Sequence, residues 1–467
     1  MKKKNQVLEG IEIVDIADQG KGVAKVDGLV CFVSHAIPGD KVDAQVFKKK
    51  KSFLEARLLN IQTPSEDRVE PFCSHFGVCG GCKWQHMDYK AQLRFKQSHV
   101  YNALSRIAHL DISTCMESIL PSKNTQYYRN KLEYTFSNKR WFVDKPVEGQ
   151  QDESSNALGF HVPGRFDKII GIEHCYLQRE PSNNIRNGIY EYAEKAGISF
   201  YDLRRHEGAL RNLIIRTSTT GEVMVVVIFA YPEENQVDSL MGFVQESFPE
   251  ITSLQYVINQ KKNDTIFDQD VYLYHGQDCI YEQMEGLRFK ISVKSFYQTN
   301  SEQAYELYKI VREFAGLKGN ELVFDLYTGA GTIAQFVARD AKHVVGIEYV
   351  ESAIADAKEN AKLNGITNAE FFAGDMKDVL TAEFVEEHGK PDVIITDPPR
   401  AGMHPKVVER ILEIASPKVV YVSCNPSTQA RDLEVLSSLY EVERVKPVDM
   451  FPHTQHIENV VLLKLKQ

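Results

Sequence analysis

The chain has 467 residues, 25% of them charged and 43% hydrophobic, which is ordinary globular usage. At about 150 residues per domain that leaves room for about three domains. No apolar run approaches the roughly 18 residues of a membrane span, and no apolar stretch of a secretory signal follows the lysines of Met1 to Gln6. A cytoplasmic monomer without a membrane partner is therefore expected. A net charge of −9 excludes a uniformly basic nucleic-acid binder, although affinity for phosphates depends on a local patch.

Short alternating runs open the chain: Glu9 to Ile16, Gly22 to Val26, Leu29 to Val33, Lys41 to Phe47 and Phe53 to Leu59. Turn signals divide them, among them Asp18-Gln19-Gly20, Asp27-Gly28 and Pro38-Gly39-Asp40. Five short strands with Gly-rich corners predict a small closed barrel of the OB type. Residues 1–62 hold 11 Lys/Arg against 8 Asp/Glu, a local excess of positive charge. Lysines 48 to 51 beside Phe53 suit an RNA backbone, and equally a solvated hairpin tip. Gln19-Gly20-Lys21-Gly22-Val23-Ala24 and Ala36-Ile37-Pro38-Gly39-Asp40 resemble the TRAM domain, a small RNA-binding barrel of RNA-modifying enzymes.

Eight cysteines stand at 31, 73, 79, 82, 115, 175, 279 and 424. In a reducing compartment they read as metal ligands or nucleophiles before disulfides. Cys73, Cys79 and Cys82 lie in Pro71-Phe72-Cys73-Ser74-His75-Phe76-Gly77-Val78-Cys79-Gly80-Gly81-Cys82, whose glycines let the backbone wrap around a common point. Cys175 can add a fourth thiol. Four thiolates fit a tetrahedral zinc, for which His75 is a rival ligand, or a [4Fe–4S] cluster, and spacing alone does not separate them. The run Cys-x5-Cys-Gly-Gly-Cys resembles the iron–sulfur loop of bacterial 23S rRNA uracil-5-methyltransferases. That resemblance implies a [4Fe–4S] cluster on Cys73, Cys79, Cys82 and Cys175. Cys31, Cys115 and Cys279 read as packing residues.

Tyr89 to Leu110 has a helical apolar period, and in the resembled family such a helix packs on the catalytic domain. Gln126-Tyr127-Tyr128-Arg129-Asn130-Lys131 leads into the strand Leu132 to Phe136. Its aromatic and basic mixture can grip RNA or belong to an ordinary surface strand. Residues 141–157 are polar and read as a loose loop. Leu213 to Thr217 and Val223 to Phe229 read as strands, completing an α+β central domain over residues 63–290.

From residue 291 helices and buried strands alternate. The helix Ser301 to Ala315 precedes the strand Glu321 to Leu326, which enters Tyr327-Thr328-Gly329-Ala330-Gly331-Thr332. A strand, a Gly-rich turn and a helix open a doubly wound sheet, and no Lys-Ser/Thr follows to make a phosphate-gripping loop. Glu348, ending Val344-Val345-Gly346-Ile347-Glu348, is placed to hold a ribose diol, as in NAD-dependent dehydrogenases, which remain a rival. The strand Asp392 to Thr396 ends in Asp397-Pro398-Pro399-Arg400, where prolines without amide hydrogens stiffen the loop presenting Asp397. Arg400 stands where methyltransferases acting on exocyclic nitrogens carry an aromatic residue and RNA cytosine-5 enzymes carry a cysteine.

The apolar run Val419 to Val422 stops at Ser423-Cys424-Asn425-Pro426, which reads as a buried parallel strand ending at the ligand-binding edge. A thiolate delivered there is a soft nucleophile; the alternative is a buried structural cysteine. Phe451 to Val460 brings Glu458 just ahead of the strand Val460 to Leu465.

Taken together, these motifs resemble the uracil-5-methyltransferase family that uses S-adenosylmethionine, and the likeness covers nearly the whole chain. It implies cofactor contacts at Gln298, Tyr327, Thr332 (often asparagine in the family), Glu348 and Asp397, with Asp375 near the adenine. It makes Cys424 the nucleophile and Glu458 the base. The expected architecture is multidomain: an OB-like TRAM barrel over 1–62, an α+β domain with a metal cluster over 63–290, and a Rossmann-like methyltransferase domain over 291–467. The expected reaction is C5-methylation of a 23S rRNA uridine through a covalent Cys–C6 adduct. The alternatives are the same chemistry on a tRNA T-loop uridine, and a non-catalytic metal-binding RNA adaptor.

Overall fold

The computed structural model describes residues 6–17, 20–143 and 155–467; Asp18, Gln19 and most of the 141–157 loop lie outside the described residues. The N-terminal strands are β1 (Val7–Glu12), β2 (Asp15–Ile16), β3 (Gly22–Val26), β4 (Leu29–Ser34), β5 (Lys41–Lys49) and β6 (Phe53–Thr63). Their sheet order is β1-β5-β6-β4-β3-β2. The two edge strands, β1 and β2, are consecutive in the chain, separated only by Ile13 and Val14. One bent strand thus closes the sheet into a barrel, which is why five predicted runs become six strands. At the bend Ile13 N donates to Asp40 O (2.9 Å) and Val14 N to Val23 O (2.8 Å), so the kink leaves no amide unpaired there. Alternate residues Val42, Ala44 and Val46 of β5 fill the interior. Lys21 and Lys48 both pair with Glu55 within the barrel, so part of the lysine-rich run is internally neutralised.

Helix α1 (Tyr89–Arg106) starts at Asp88, whose carboxylate accepts from Lys90 N. It stops short of the predicted Leu110 because His109 turns the chain with a φ of 55°. The central strands and helices are β7 (Lys131–Ser137), β8 (Ala157–Val162), β9 (Arg165–Gly171), α2 (Ser182–Lys195), β10 (Leu210–Thr217), β11 (Val223–Phe229), α3 (Gln236–Ser247), β12 (Ser253–Ile258) and β13 (Val271–Gly276). They form a sheet of order β13-β12-β11-β10-β7-β8-β9. Val225, Val227 and Phe229 pack with Ile185 of α2 and Leu240 of α3. Met224, Val226 and Ile228, on the opposite face, join the core of the C-terminal sheet. Burial on both faces explains the unbroken apolar sequence of β11.

A hairpin of β14 (Ile280–Met284) and β15 (Leu287–Ile291) leads into α4 (Ser301–Ala315), β16 (Leu322–Leu326), α5 (Thr332–Ala338), β17 (His343–Glu348), α6 (Glu351–Leu363) and β18 (Ala369–Ala373). Then come α7 (Met376–Val379), α8 (Ala382–His388), β19 (Val393–Thr396), α9 (Pro405–Ile414), β20 (Lys418–Ser423), α10 (Pro426–Leu436), β21 (Tyr440–Val448) and β22 (Glu458–Leu465). The sheet order is β18-β17-β16-β19-β20-β22-β21, with β22 antiparallel to both neighbours. A dinucleotide-binding sheet lacks this inserted reversed strand, so the topology separates the chain from the NAD-dependent rival. Val100 and Leu104 of α1 share a core with Ala430 and Leu433 of α10. Among the described residues no helix is long and apolar enough to cross a membrane.

Candidate active site

The ladder between β20 and β22 ends at the pair Ser423–Asn459. Cys424 and Glu458 are the next residues beyond that pair, Cys424 in the bend after β20, and the Glu458 charge acts on the thiol. Gln429 of α10 holds the two strand ends, donating to Tyr421 O (3.0 Å) and Asn459 O (3.3 Å) and accepting from Asn459 Nδ2 (2.8 Å). Asn425 caps α10 through Ser427 N, with Pro426 at the first helical position. Its amide also donates to Arg400 O (3.1 Å), tying the cysteine turn to the Asp-Pro-Pro-Arg loop.

Glu458 is 4% exposed, so it is no solvated strand-end carboxylate. Burial and the neighbouring Asp397 push its carboxyl well above the ordinary range. Burial, then Glu458 and Asp397, push the half-buried Cys424 thiol up to about 11, while Arg400 pulls it down. Asp397 is itself pushed up to about 7 by burial and by Asp325. Asp325, buried in β16, is likewise raised to about 7 by burial, against the hydroxyl bond it receives from Thr328. Buried carboxyls this close cannot all ionise. A cationic ligand beside them would favour their ionised forms.

Most of the other sequence-predicted residues follow the carboxyl ends of neighbouring strands; Gln298 does not. Tyr327 follows β16 with a φ of 64°, and Gly329 and Gly331 follow with φ of 55° and 74°. Nothing lies within 4 Å of the direction a Gly329 Cβ would take, so the backbone there borders open space. Gly329 N donates to Glu348 Oε2 (3.2 Å) and Val350 N to Glu348 Oε1 (3.0 Å), fixing the carboxylate at the end of β17. Thr332 is buried at the start of α5. Asp375 caps α7 and pairs with Lys377, which holds its carboxyl below the ordinary range. Burial raises the Tyr327 phenol to about 12, and Asp375 and Glu348 are among the charges it senses. Gln298 is half-buried ahead of α4, and its carbonyl accepts from Asn130 Nδ2 (2.9 Å).

Cys73, Cys79, Cys82 and Cys175 line a single cavity together with His75 and His174. Burial raises all four thiols, Cys79 to about 12 and Cys82 to about 11. Gly80 is required there, because a Cβ would sit 2.8 Å from His161 O on the β8–β9 hairpin. Among the described residues no three His, Cys, Asp or Glu side chains form a group that could hold a metal ion.

Residues 216–466 match the model of the tRNA (Uracil-5-)-methyltransferase family, and residues 3–59 match the TRAM domain. The chain belongs to the RNA (uracil-5-)-methyltransferase family. It is an RNA methyltransferase that depends on S-adenosylmethionine, and the adaptor alternative falls away. An uncharacterised RNA methyltransferase of Bacteroides thetaiotaomicron is 57% identical over 97% of this chain and 100% of its own. Another from Chlorobaculum tepidum is 39% identical over 98% and 96%. The crystal structure of Pyrococcus abyssi tRNA (uracil-54, C5)-methyltransferase with S-adenosyl-L-homocysteine superposes with a TM-score of 0.77. It is 27% identical, covering 98% of this chain and all of that one.

Two further buried residues lie beside Asp397 and Glu458. Asp325 was visible in principle, as the lone charge in Leu322-Val323-Phe324-Asp325-Leu326. Tyr308 of α4 is buried, and the charges of Asp397, Asp325 and Glu458 add to burial in raising its phenol. In sequence it is one more member of the apolar stripe with Ala304, Leu307 and Val311, and nothing marks it.

Proposed function

We propose that this chain methylates C5 of a uridine in 23S rRNA, with Cys424 as covalent nucleophile and Glu458 as general base. The observation that carries the reading is the register that sets these two side chains at adjoining strand ends. Uracil C5 is too weak a nucleophile to take a sulfonium methyl unaided. Cys424 thiolate adds to C6, and the electron pair moves to give an enolate with carbanion character at C5. S-adenosylmethionine, when bound, supplies the electrophilic methyl, and positioning of the two reactants supplies much of the acceleration. Glu458 then takes the C5 proton, the C5–C6 double bond re-forms, and the Cys424 sulfur leaves. The target nucleotide must leave its stack to reach this edge.

Gln298, Tyr327, Thr332, Glu348, Asp375 and Asp397 form the cofactor site in this reading, with Glu348 on the ribose diol. The surplus of buried carboxyls around Asp397 favours a sulfonium cation over a neutral ligand.

Cys73, Cys79, Cys82 and Cys175 would hold a [4Fe–4S] cluster. The four thiols lining one cavity support this reading, together with the resemblance of the Cys-x5-Cys-Gly-Gly-Cys run.

The barrel and the cysteine loop support rRNA, because the resembled transfer RNA branch usually lacks both. The tRNA T-loop reading is favoured by the Pyrococcus abyssi neighbour, which acts on tRNA and matches along 98% of this chain. Mass mapping of 5-methyluridine in 23S rRNA and tRNA from a strain lacking the protein tests both. Loss from 23S rRNA alone supports the first, and loss from tRNA alone replaces it with the second.

A further inference from the structure

The nine residues 449–457 join β21 to β22, and the pair Val448–Glu458 closes this hairpin. The loop that delivers Glu458 therefore begins at Asp449. Asp449 and Lys96 of α1 are both fully buried, with Nζ to Oδ1 at 2.6 Å. Lys96 Nζ also donates to Phe451 O (3.0 Å), and Phe451 N donates back to Asp449 Oδ1 (3.1 Å). Tyr89 OH donates to the other carboxylate oxygen (2.8 Å). Outside this knot the loop is held mostly by other segments. Asn300 Nδ2 donates to Met450 O (2.9 Å) and Tyr128 OH to Pro452 O (2.9 Å). Lys83 N and Trp84 N both donate to His453 O (2.8 and 3.0 Å), and Gln92 Oε1 of α1 accepts from His453 N (2.8 Å).

We propose that the Lys96–Asp449 pair is the positioning element for Glu458, fixing on α1 the loop that carries the base. A buried ion pair is a weak source of stability compared with apolar residues of the same volume, but it imposes one geometry. Cys424 is held from outside the 449–457 loop, between the last β20 ladder residue and Asn425, which caps α10 and bonds Arg400 O. Loosening the loop therefore leaves nucleophilic addition and methyl transfer in place and slows removal of the C5 proton. The methylated, enzyme-linked RNA then accumulates. This inference rests on the covalent mechanism proposed above.

The test compares Lys96→Met, Lys96→Arg, the double replacement Lys96→Met/Asp449→Leu, and Glu458→Gln. Removing one partner leaves a buried charge alone; removing both does not, so the double variant separates folding from positioning. It is expected to melt near wild type, with KM for both substrates nearly unchanged. Its turnover is expected to fall at least about tenfold, with a denaturation-resistant RNA–protein band carrying labelled methyl. Lys96→Arg is expected to recover part of the turnover. Wild-type turnover in a folded double variant, or lost turnover with no adduct while Glu458→Gln traps one, overturns the inference. If neither traps an adduct, the covalent mechanism fails and takes the inference with it. Tyr89→Phe deletes one bond to Asp449 and keeps the pair. It is expected to shift the balance toward adduct to a smaller degree, and serves where the double variant does not fold.

Discussion

Cys424 and Glu458 are the residues next beyond the Ser423–Asn459 pair that ends the ladder of β20 and β22, and the Glu458 charge helps raise the Cys424 thiol. In the proposed mechanism one pyrimidine ring meets both. Cys424→Ala is expected to lower methyl transfer by at least about a thousandfold, with S-adenosylmethionine affinity retained by calorimetry. Undiminished turnover would remove the nucleophile assignment. Glu458→Gln is expected to trap the RNA adduct that Cys424→Ala cannot form.

The thiol's environment predicts a pH dependence. Burial first, then Glu458 and Asp397, raise Cys424 to about 11. Below that value the thiolate fraction grows about tenfold per pH unit, and reaction at sulfur should grow with it. Site-resolved alkylation of the ligand-free protein by iodoacetamide should therefore accelerate steadily through neutral pH. In Glu458→Gln one negative neighbour is gone and the curve should move to lower pH. Arg400→Gln should move it to higher pH, because the guanidinium favours the thiolate.

How much of this was legible beforehand varies by element. Helix α4 was read to the residue because Asn300 caps it and Gly316 ends it with a φ of 57°. Strands β16, β17, β19 and β20 were readable because burial on both faces leaves continuous apolar runs. The break of the first run into β1 and β2 was not, since the bend at Ile13 and Val14 depends on acceptors on Asp40 and Val23. The proximity of Cys424 and Glu458 follows from the reversed β22, which no local pattern announces. Lys96 reads as a solvated helix lysine, and only a partner 353 residues away makes it a buried one.

Asp397 and Asp325, both raised to about 7 from an ordinary value near 3.8, carry a stability consequence. Between those limits the folded chain holds protons that the unfolded chain has released, so stability falls as pH rises through that window. Asp397→Asn removes one such group. Its melting temperature is expected to exceed wild type by a few degrees at pH about 8, of order 2–4 kcal/mol. The two should converge below pH about 3, where the acid is largely neutral in both states. Saturating S-adenosylmethionine should narrow the gap at high pH by stabilising the ionised wild-type site. Equal melting curves across the range would show that Asp397 titrates normally.

The glycine turn separates strain from contact. At Gly331 a Cβ would lie 3.0 Å from Ala357 Cβ, Gln335 Nε2 and Phe371 Cε1, and its φ is 74°. At Gly329 the φ is 55° with nothing in the way. Both alanine variants bear the left-handed cost of about 1–2 kcal/mol, and Gly331→Ala must also displace its neighbours. Gly331→Ala should therefore lose more melting temperature. Gly329→Ala should weaken S-adenosylmethionine more than it weakens the fold, because its new methyl points into the proposed cofactor space. A calorimetric affinity equal to wild type in Gly329→Ala would move the cofactor away from this turn.

The cysteine cavity and the base loop are one hydrogen bond apart, since Lys83, next after Cys82, donates its backbone N–H to His453 O at 2.8 Å. Protein purified without oxygen is expected to contain iron and acid-labile sulfide in equal amounts and to absorb visible light; zinc without iron would decide for the tetrahedral ion. Cys79→Ser should lose that metal, because a serine hydroxyl in so buried a place does not ionise readily to replace a thiolate ligand. Three thiols and a hydroxyl facing one another without a metal pack poorly, and the loop through Trp84 should loosen. Hydrogen exchange is then expected to rise at Lys83, Trp84 and residues 449–457, while the buried strands β16 and β17 keep their protection. Increased exchange confined to residues 73–82 would show that the cavity's occupant is not coupled to Glu458.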